Sequence, residues 1–156
     1  MQQQKIKKEI DSLESLIKNP TGDLGKELFL FVSRITPIIN VDLLIKNKKG
    51  QTLLTWRDDE FYGPGWHIPG GVIRYKETIK DRIMAVGAGE LGVKVKFKKE
   101  VLTIKELIDP ARKDRGHFIS LLYKCRLTSP LDKKLKFNKK NPKAGQWAWH
   151  DRCPDN

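Results

Sequence analysis

The sequence predicts one α/β domain preceded by a helical extension, and three observations carry that prediction. The chain has 156 residues, enough for one hydrophobic core and too few for two. Its apolar residues recur first at helical spacing, then in short β-branched runs broken by glycine turns, then at helical spacing again before a last set of strands. No apolar stretch approaches the ~18 residues a membrane span needs, so no membrane partner is expected. A chain that is 38% hydrophobic and 32% charged is a globular one. Only two cysteines, Cys125 and Cys153, and no apolar run near the start point to a reducing cytoplasm.

Each element follows from local pattern. Residues 5 to 18 set Ile6, Ile10, Leu13 and Ile17 along one helical face, which is expected to pack on the body or across a homodimer. Asn19-Pro20 ends that helix, Thr21 to Asp23 turn and cap, and residues 24 to 34 read as a second apolar helix. These helices form an extension over 1–34, with the domain over 35–156. Residues 36 to 46 and 51 to 57, joined by Lys48-Lys49-Gly50, read as a hairpin. Residues 58 to 71 hold Gly63, Pro64, Gly65, Pro69 and two more glycines, a loop rather than helix or ladder. Glu77 to Leu91 reads as a helix stopped by Gly92, residues 94 to 107 as a strand pair, 116 to 127 as a longer buried strand and 145 to 149 as a short aromatic one. Trp147 and Trp149 are expected in the core.

The net charge of +12 draws anions but names none. With 23 lysines against 8 arginines, a solvated lysine-rich surface is the plainer reading, and nucleic acid is not expected as a partner. The lysine-heavy loop over 129–144 is read the same way, although it could close over a polyphosphate.

Chemistry concentrates in residues 69 to 93, PGGVIRYKETIKDRIMAVGAGELGV. A double glycine opens the backbone to a ligand, and the Glu90 carboxylate at the far end of the helix returns to the same spot. The Gly70 carbonyl and Glu90 would together offer oxygen ligands to Mg2+, an ion that keeps several waters and bridges to phosphates.

These residues resemble the signature of the Nudix hydrolases, G-x5-E-x7-R-E-U-x-E-E-x-G-U with U aliphatic. Gly71, Glu77, Glu90, Gly92 and Val93 fall on it in register, behind the lead-in Trp66 to Gly71. The resemblance covers residues 36 to 150 and implies an α/β/α sandwich around a mixed sheet, with a small nucleotide as substrate. Such domains commonly carry one more helix after the last strand; the amino-terminal helices or a partner subunit would fill that face here. Ala85, Val86 and Gly89 replace the Arg and two of the Glu residues, which leaves fewer carboxylates for metal. Gly87 and Gly89 each cost a helix about 1 kcal/mol relative to Ala and suggest room for a ligand. Glu77, without the arginine that Ala85 replaces, could pair with Arg82 or Lys80.

Within the family, a branch with a similarly reduced box is GDP-mannose mannosyl hydrolase, which breaks the sugar C–O bond. Residues 29 to 42 look like its leading helix, Thr-Pro pair and Asp-bearing strand, and Arg57 stands nine residues before Trp66 as that branch's arginine does. The resemblance implies Asp42 and Arg57 as substrate contacts, Arg57 also stabilising the departing diphosphate. Where the branch has its general base this chain has Ala144, and of His67, His117 and His150 we expect His117, after the basic loop 112–116, to take that role. The branch's leaving-group tyrosine is Phe118 here. The reading is a Mg2+-dependent hydrolase of a GDP-mannose-like nucleoside diphosphate sugar. The alternatives are a phosphoanhydride-cleaving pyrophosphatase and an inactive nucleotide- or RNA-binding module.

Overall fold

A computed structural model describes residues 1–155; the domain boundary drawn at Asn156 lies just outside the described residues. Two helices, α1 (Gln2–Leu16) and α2 (Lys26–Ile35), precede strands β1 (Ile38–Ile45), β2 (Thr52–Asp59), β3 (Gly63–His67) and β4 (Gly70–Val72). Helix α3 (Ile79–Leu91) follows, then β5 (Val95–Phe97), β6 (Thr103–Ile108), β7 (His117–Leu127), a 3-10 turn over Lys133–Leu135, and β8 (Trp147–His150). The architecture is the expected α/β/α sandwich type built on a mixed sheet. β1 and β7 run parallel at its centre, β4 is antiparallel to β1, and β5 and β6 both lie antiparallel to β7. β3, β2 and β8 form a second, antiparallel sheet.

β1 reads IINVDLLI, nearly continuous in apolar residues, as suits a central strand paired with β4 on one edge and β7 on the other. Its odd-numbered residues Val41, Leu43 and Ile45 are buried against Ile83, Val86 and Leu91 of α3, with Val95, Tyr123 and Cys125 from the flanking strands. Trp147 and Trp149 pack against this core, as expected. Thr78 caps α3 by accepting the Asp81 amide at 3.1 Å. Gly92 ends the helix at φ 65°, the left-handed conformation that a residue without Cβ adopts freely.

Four expectations from sequence need correction. β1 and β2 are joined by the tight turn at 47–50 but do not form a hairpin ladder: beyond the bridge Lys46–Thr52 they pair with different partners in different sheets. The hairpin is instead β2–β3, so the supposed loop carries a strand. Its proline, Pro64, is tolerated because β3 is an edge strand that needs no amide from that residue on its open side. The strand pair expected over 94–107 is two strands that each pair with β7 and not with one another. Finally, α1 buries no residue against the body; Ile6, Ile10 and Leu13 stay 44, 49 and 38% exposed.

Candidate active site

The register of the large sheet builds the site. Asp42 on β1 is opposite Gly70 on β4, and the Leu43 amide donates to the Pro69 carbonyl while the Ile73 amide donates to the Ile39 carbonyl. That alternation makes Asp42 and Gly70 a pair that exchanges no ladder bonds, so the Gly70 amide and carbonyl point away from β1. The amide donates to Glu90 Oε1 at 3.2 Å. A Cβ on Gly70 would run into the Asp42 carboxylate, so only glycine admits the two carboxylates on either side of this backbone. The Glu90 Oε2 lies 3.4 Å from both the Thr55 hydroxyl and His67 Nε2, and Thr55 and His67 are themselves 3.2 Å apart. Ser120 on β7 donates a short hydrogen bond to Asp42. Burial raises the Asp42 carboxyl above its ordinary value and the nearby Glu90 adds to this, against the lowering pull of Ser120, His67 and Arg57.

Across a cleft of about 620 Å3 the charge changes sign. Arg57 on β2 stacks its guanidinium 4.2 Å from the Tyr62 ring centre, Arg112 lies at 3.9 Å and Arg115 at 5.1 Å. Arg115 has a positive φ of 55° and a buried Nε without a partner; its amide is held by Ser33 on α2. Burial lowers its guanidinium below the ordinary value, and Arg57 and Arg112 push the same way. For Asp59, burial alone would raise the carboxyl, but the amides of Tyr62 and Phe61 with Arg57 and Arg115 outweigh it and hold it low. Arg57 and Arg115 line the cleft beside Tyr62, while Arg112 is held outside it by Asp109; two guanidiniums on one wall suit a diphosphate.

Of the residues singled out from sequence, Asp42, Arg57, Gly70 and Glu90 come together in this cleft. His117 does not. The even-numbered residues of β7, Phe118, Ser120 and Leu122, line the cleft, so His117 faces the other way and its Nε2 meets Glu106 Oε1 at 3.2 Å on an exposed edge. Glu77 pairs with Arg82, whose Nε and Nη2 sit 2.8 and 2.7 Å from one carboxylate oxygen, and it also accepts the Arg74 amide. The room expected at the helix glycines divides: at Gly87 a Cβ would press on the Val93 carbonyl and Val95, so the space belongs to packing, whereas Gly89 faces open space. None of the lysines of the 129–144 loop lines the cleft. That loop is pinned elsewhere by Phe137, whose ring centre is 4.5 Å from that of Trp66. Sequence reasoning missed His67, Tyr62, Arg115 and Ser120. Two signals were available: the basic run 112–116, and period-two counting back along the buried strand from Leu122.

The donor set fits a hard divalent cation, because the Glu90 carboxylate, bonded to the Gly70 amide, and the Gly70 carbonyl on the same side of the strand are both oxygen ligands. Among the described residues no group of three or more His, Cys, Asp or Glu gathers to hold a metal, so waters and substrate oxygens would complete any shell. Cys125 is buried, its thiol pushed up to about 12, and takes no part.

Comparison with known proteins agrees with the fold and the box. The NUDIX domain family model matches residues 36–152. The low-salt glycan biosynthesis protein Agl8 of Haloferax volcanii is 30% identical over 111 residues, 69% of this chain and 70% of that protein. Among solved structures, a MutT Nudix hydrolase from Burkholderia pseudomallei aligns with a TM-score of 0.62 at 19% identity, over 78% of this chain and 89% of its own. The MutT protein of Methanosarcina mazei Go1 aligns at 0.56 and 19% identity, over 74 and 78%. The chain belongs to the Nudix hydrolase family, whose members act on small nucleotide substrates and generally use divalent metal ions.

Proposed function

We propose that the protein hydrolyses a nucleoside diphosphate sugar of the GDP-mannose type with the help of Mg2+, releasing the nucleoside diphosphate and the free sugar. The observation that carries this reading is the polarity of the cleft: arginines on one side, carboxylates around Gly70 on the other. A diphosphate bound by Arg57 and Arg115 directs the attached sugar towards Asp42, a natural acceptor for sugar hydroxyls. The low-salt glycan biosynthesis protein among the relatives supports a sugar-linked substrate. We also propose a cytoplasmic homodimer, a reading supported by the free thiols Cys125 and Cys153 and the uncovered apolar row of α1.

Mg2+, held by Glu90 and the Gly70 carbonyl, would neutralise charge on the diphosphate. The chain's own residues do the rest. Arg57 and Arg115 grip the phosphates and stabilise the charge that grows as the bond from the anomeric carbon to the diphosphate oxygen breaks. Asp42, with its carboxyl raised by burial, accepts the proton of the attacking water better than an ordinary carboxylate would. His67 and Thr55 hold the Glu90 carboxylate in place. His67, inside the cleft, replaces His117 as the histidine that matters.

The test is turnover of a panel of nucleotide sugars in 18O-labelled water, with and without Mg2+. We expect Mg2+-dependent release of nucleoside diphosphate, with label in the sugar. Label in a phosphate would move the assignment to phosphoanhydride cleavage, and no turnover of any nucleotide sugar would sink the sugar reading.

A further inference from the structure

Beyond Leu122, the last β7 residue to line the cleft, a second depression begins. The even-numbered residues of β7 continue on the same face of the sheet as Lys124 and Arg126, both exposed. Antiparallel β5 brings Lys96 directly opposite Arg126, and the bond from the Lys98 amide to the Lys124 carbonyl carries the register one step on, setting Lys98 opposite Lys124. Lys105 on β6 faces Ser120 nearer the cleft. Cations thus recur along the strand direction, Arg126 with Lys96 and Lys124 with Lys98 about 6.7 Å apart, then Lys105 two steps on, past the uncharged Leu122–Thr103 pair.

Like charges set directly opposite across a ladder repel. Here two such pairs are adjacent, and among the described residues none of their four side chains has an ion pair. The same four, with Phe97, are all that line a depression of about 350 Å3. A fold that needed only solubility would mix acids into this face. Charge complementarity therefore points to an anionic ligand for this face.

We propose that this groove binds the phosphodiester backbone of a single-stranded nucleic acid. The ligand is an anion repeated along a line, as the cations are. A strand spaces its charges by whole nucleotides, comparable to the cation spacing, whereas inorganic polyphosphate packs its charges more closely. A flat anionic bilayer touches protruding side chains and does not enter a depression. No residue of the groove reads base edges, so the binding has no sequence preference. The site is separate from the hydrolytic assignment and stands whether or not the cleft cleaves a nucleotide sugar.

The experiment is fluorescence anisotropy of a labelled single strand of about 12 nucleotides, DNA and RNA in turn, titrated with the full chain over a range of salt. Wild type should bind in the micromolar range at low salt. Lys98→Glu with Lys124→Glu should weaken binding at least ~10-fold and flatten the plot of log affinity against log salt by about 1.4, two backbone contacts' worth. The uncharged Lys98→Gln with Lys124→Gln should weaken it in the same direction, and neither variant should melt below wild type, since each removes repulsion across the ladder. Lys139→Glu with Lys140→Glu, an equal change of charge on the other lysine-rich loop, should cost less than ~3-fold. Equal losses from the two Glu pairs would mean that net charge alone attracts the strand and would overturn the proposal, as would no binding at low salt. Tighter capture of anionic vesicles or of inorganic polyphosphate than of the strand, lost in the same groove variants, would also overturn it. Hydrolysis of the nucleotide sugar measured on the groove variants should stay at wild-type rate, which separates failure here from failure of the cleft assignment.

Discussion

Asp42 sits on a central strand with its carboxyl buried beside Gly70 and near a second carboxylate, a setting that works against its charge. Because its folded-state value is raised, the fold is relatively favoured while the group is protonated and loses that advantage as pH climbs through the raised value. Asp42→Asn should therefore raise the melting temperature at pH 7, by about 2 to 4 °C if the relief is about 1 kcal/mol. The gain should vanish below the ordinary carboxylate range. The same change should remove turnover by ~100-fold or more, a trade of function for stability. In the wild type, activity should fall on the acid side at a higher pH than an ordinary aspartate would set; an acid limb at ordinary aspartate values would exclude Asp42 as the base. Glu90→Gln keeps shape and hydrogen bonding but removes charge, so Mg2+ affinity should drop and activity fall at least ~100-fold. Glu77→Gln breaks a pair whose members are only 17 and 13% exposed, and should lower stability while leaving the rate per folded molecule near wild type. At this scale the sequence reading was sharpest where a short motif fixes neighbours, as in Gly70, Glu77 and Glu90. It failed at His117, because a strand's face is a matter of parity, and one residue decides whether a side chain enters the cleft or the opposite side.

Helix α3 carries two glycines with opposite meanings. Gly87→Ala pushes a methyl against the Val93 carbonyl at 3.0 Å and Val95 at 3.1 Å, and should destabilise by about 1 to 3 kcal/mol. Gly89→Ala meets nothing and should stabilise by about 1 kcal/mol on helix propensity alone. Denaturant melts of the two single variants check both signs. The elements themselves were legible from periodicity and punctuation: α3 and its stop at Gly92 agree with the pattern, while its start falls two residues later than read, just after the Thr78 cap. Their pairing was not, since a tight turn between β1 and β2 looks the same whether the strands pair or diverge into two sheets. The hydrophobic row of α1 misled in the same way, as an amphipathic pattern shows that a face is apolar and not what covers it. With no residue of α1 buried, loss of residues 1–19 should leave the melting temperature of the monomer within ~2 °C. A mass in solution that halves on the same truncation would support the proposed dimer, and a large drop in the monomer's melting temperature would mean that α1 packs on the body after all.

Across the whole molecule the surplus of positive charge is distributed unevenly: acids neutralise much of the cleft's rim, while the β5–β7 face has none paired to it. Self-repulsion of this kind is screened by salt, so raising ionic strength from about 20 to 200 mM should increase the melting temperature. An unchanged or lower value would show that ion pairs outweigh the repulsion.

The parallel pairing of β1 with β7 has a consequence in time. Ile38 aligns with Phe118, so the contact closes over 118 − 38 = 80 residues of chain. While the polypeptide is being made, β1 emerges with both edges unpartnered, gains β4 on one, and keeps the other open until β7 is made, when about four-fifths of the chain is complete. Asp42 and Ser120 come into reach only then. A nascent chain halted before β7 has the whole signature box yet no cleft, and its exposed central strand is a ready substrate for chaperones.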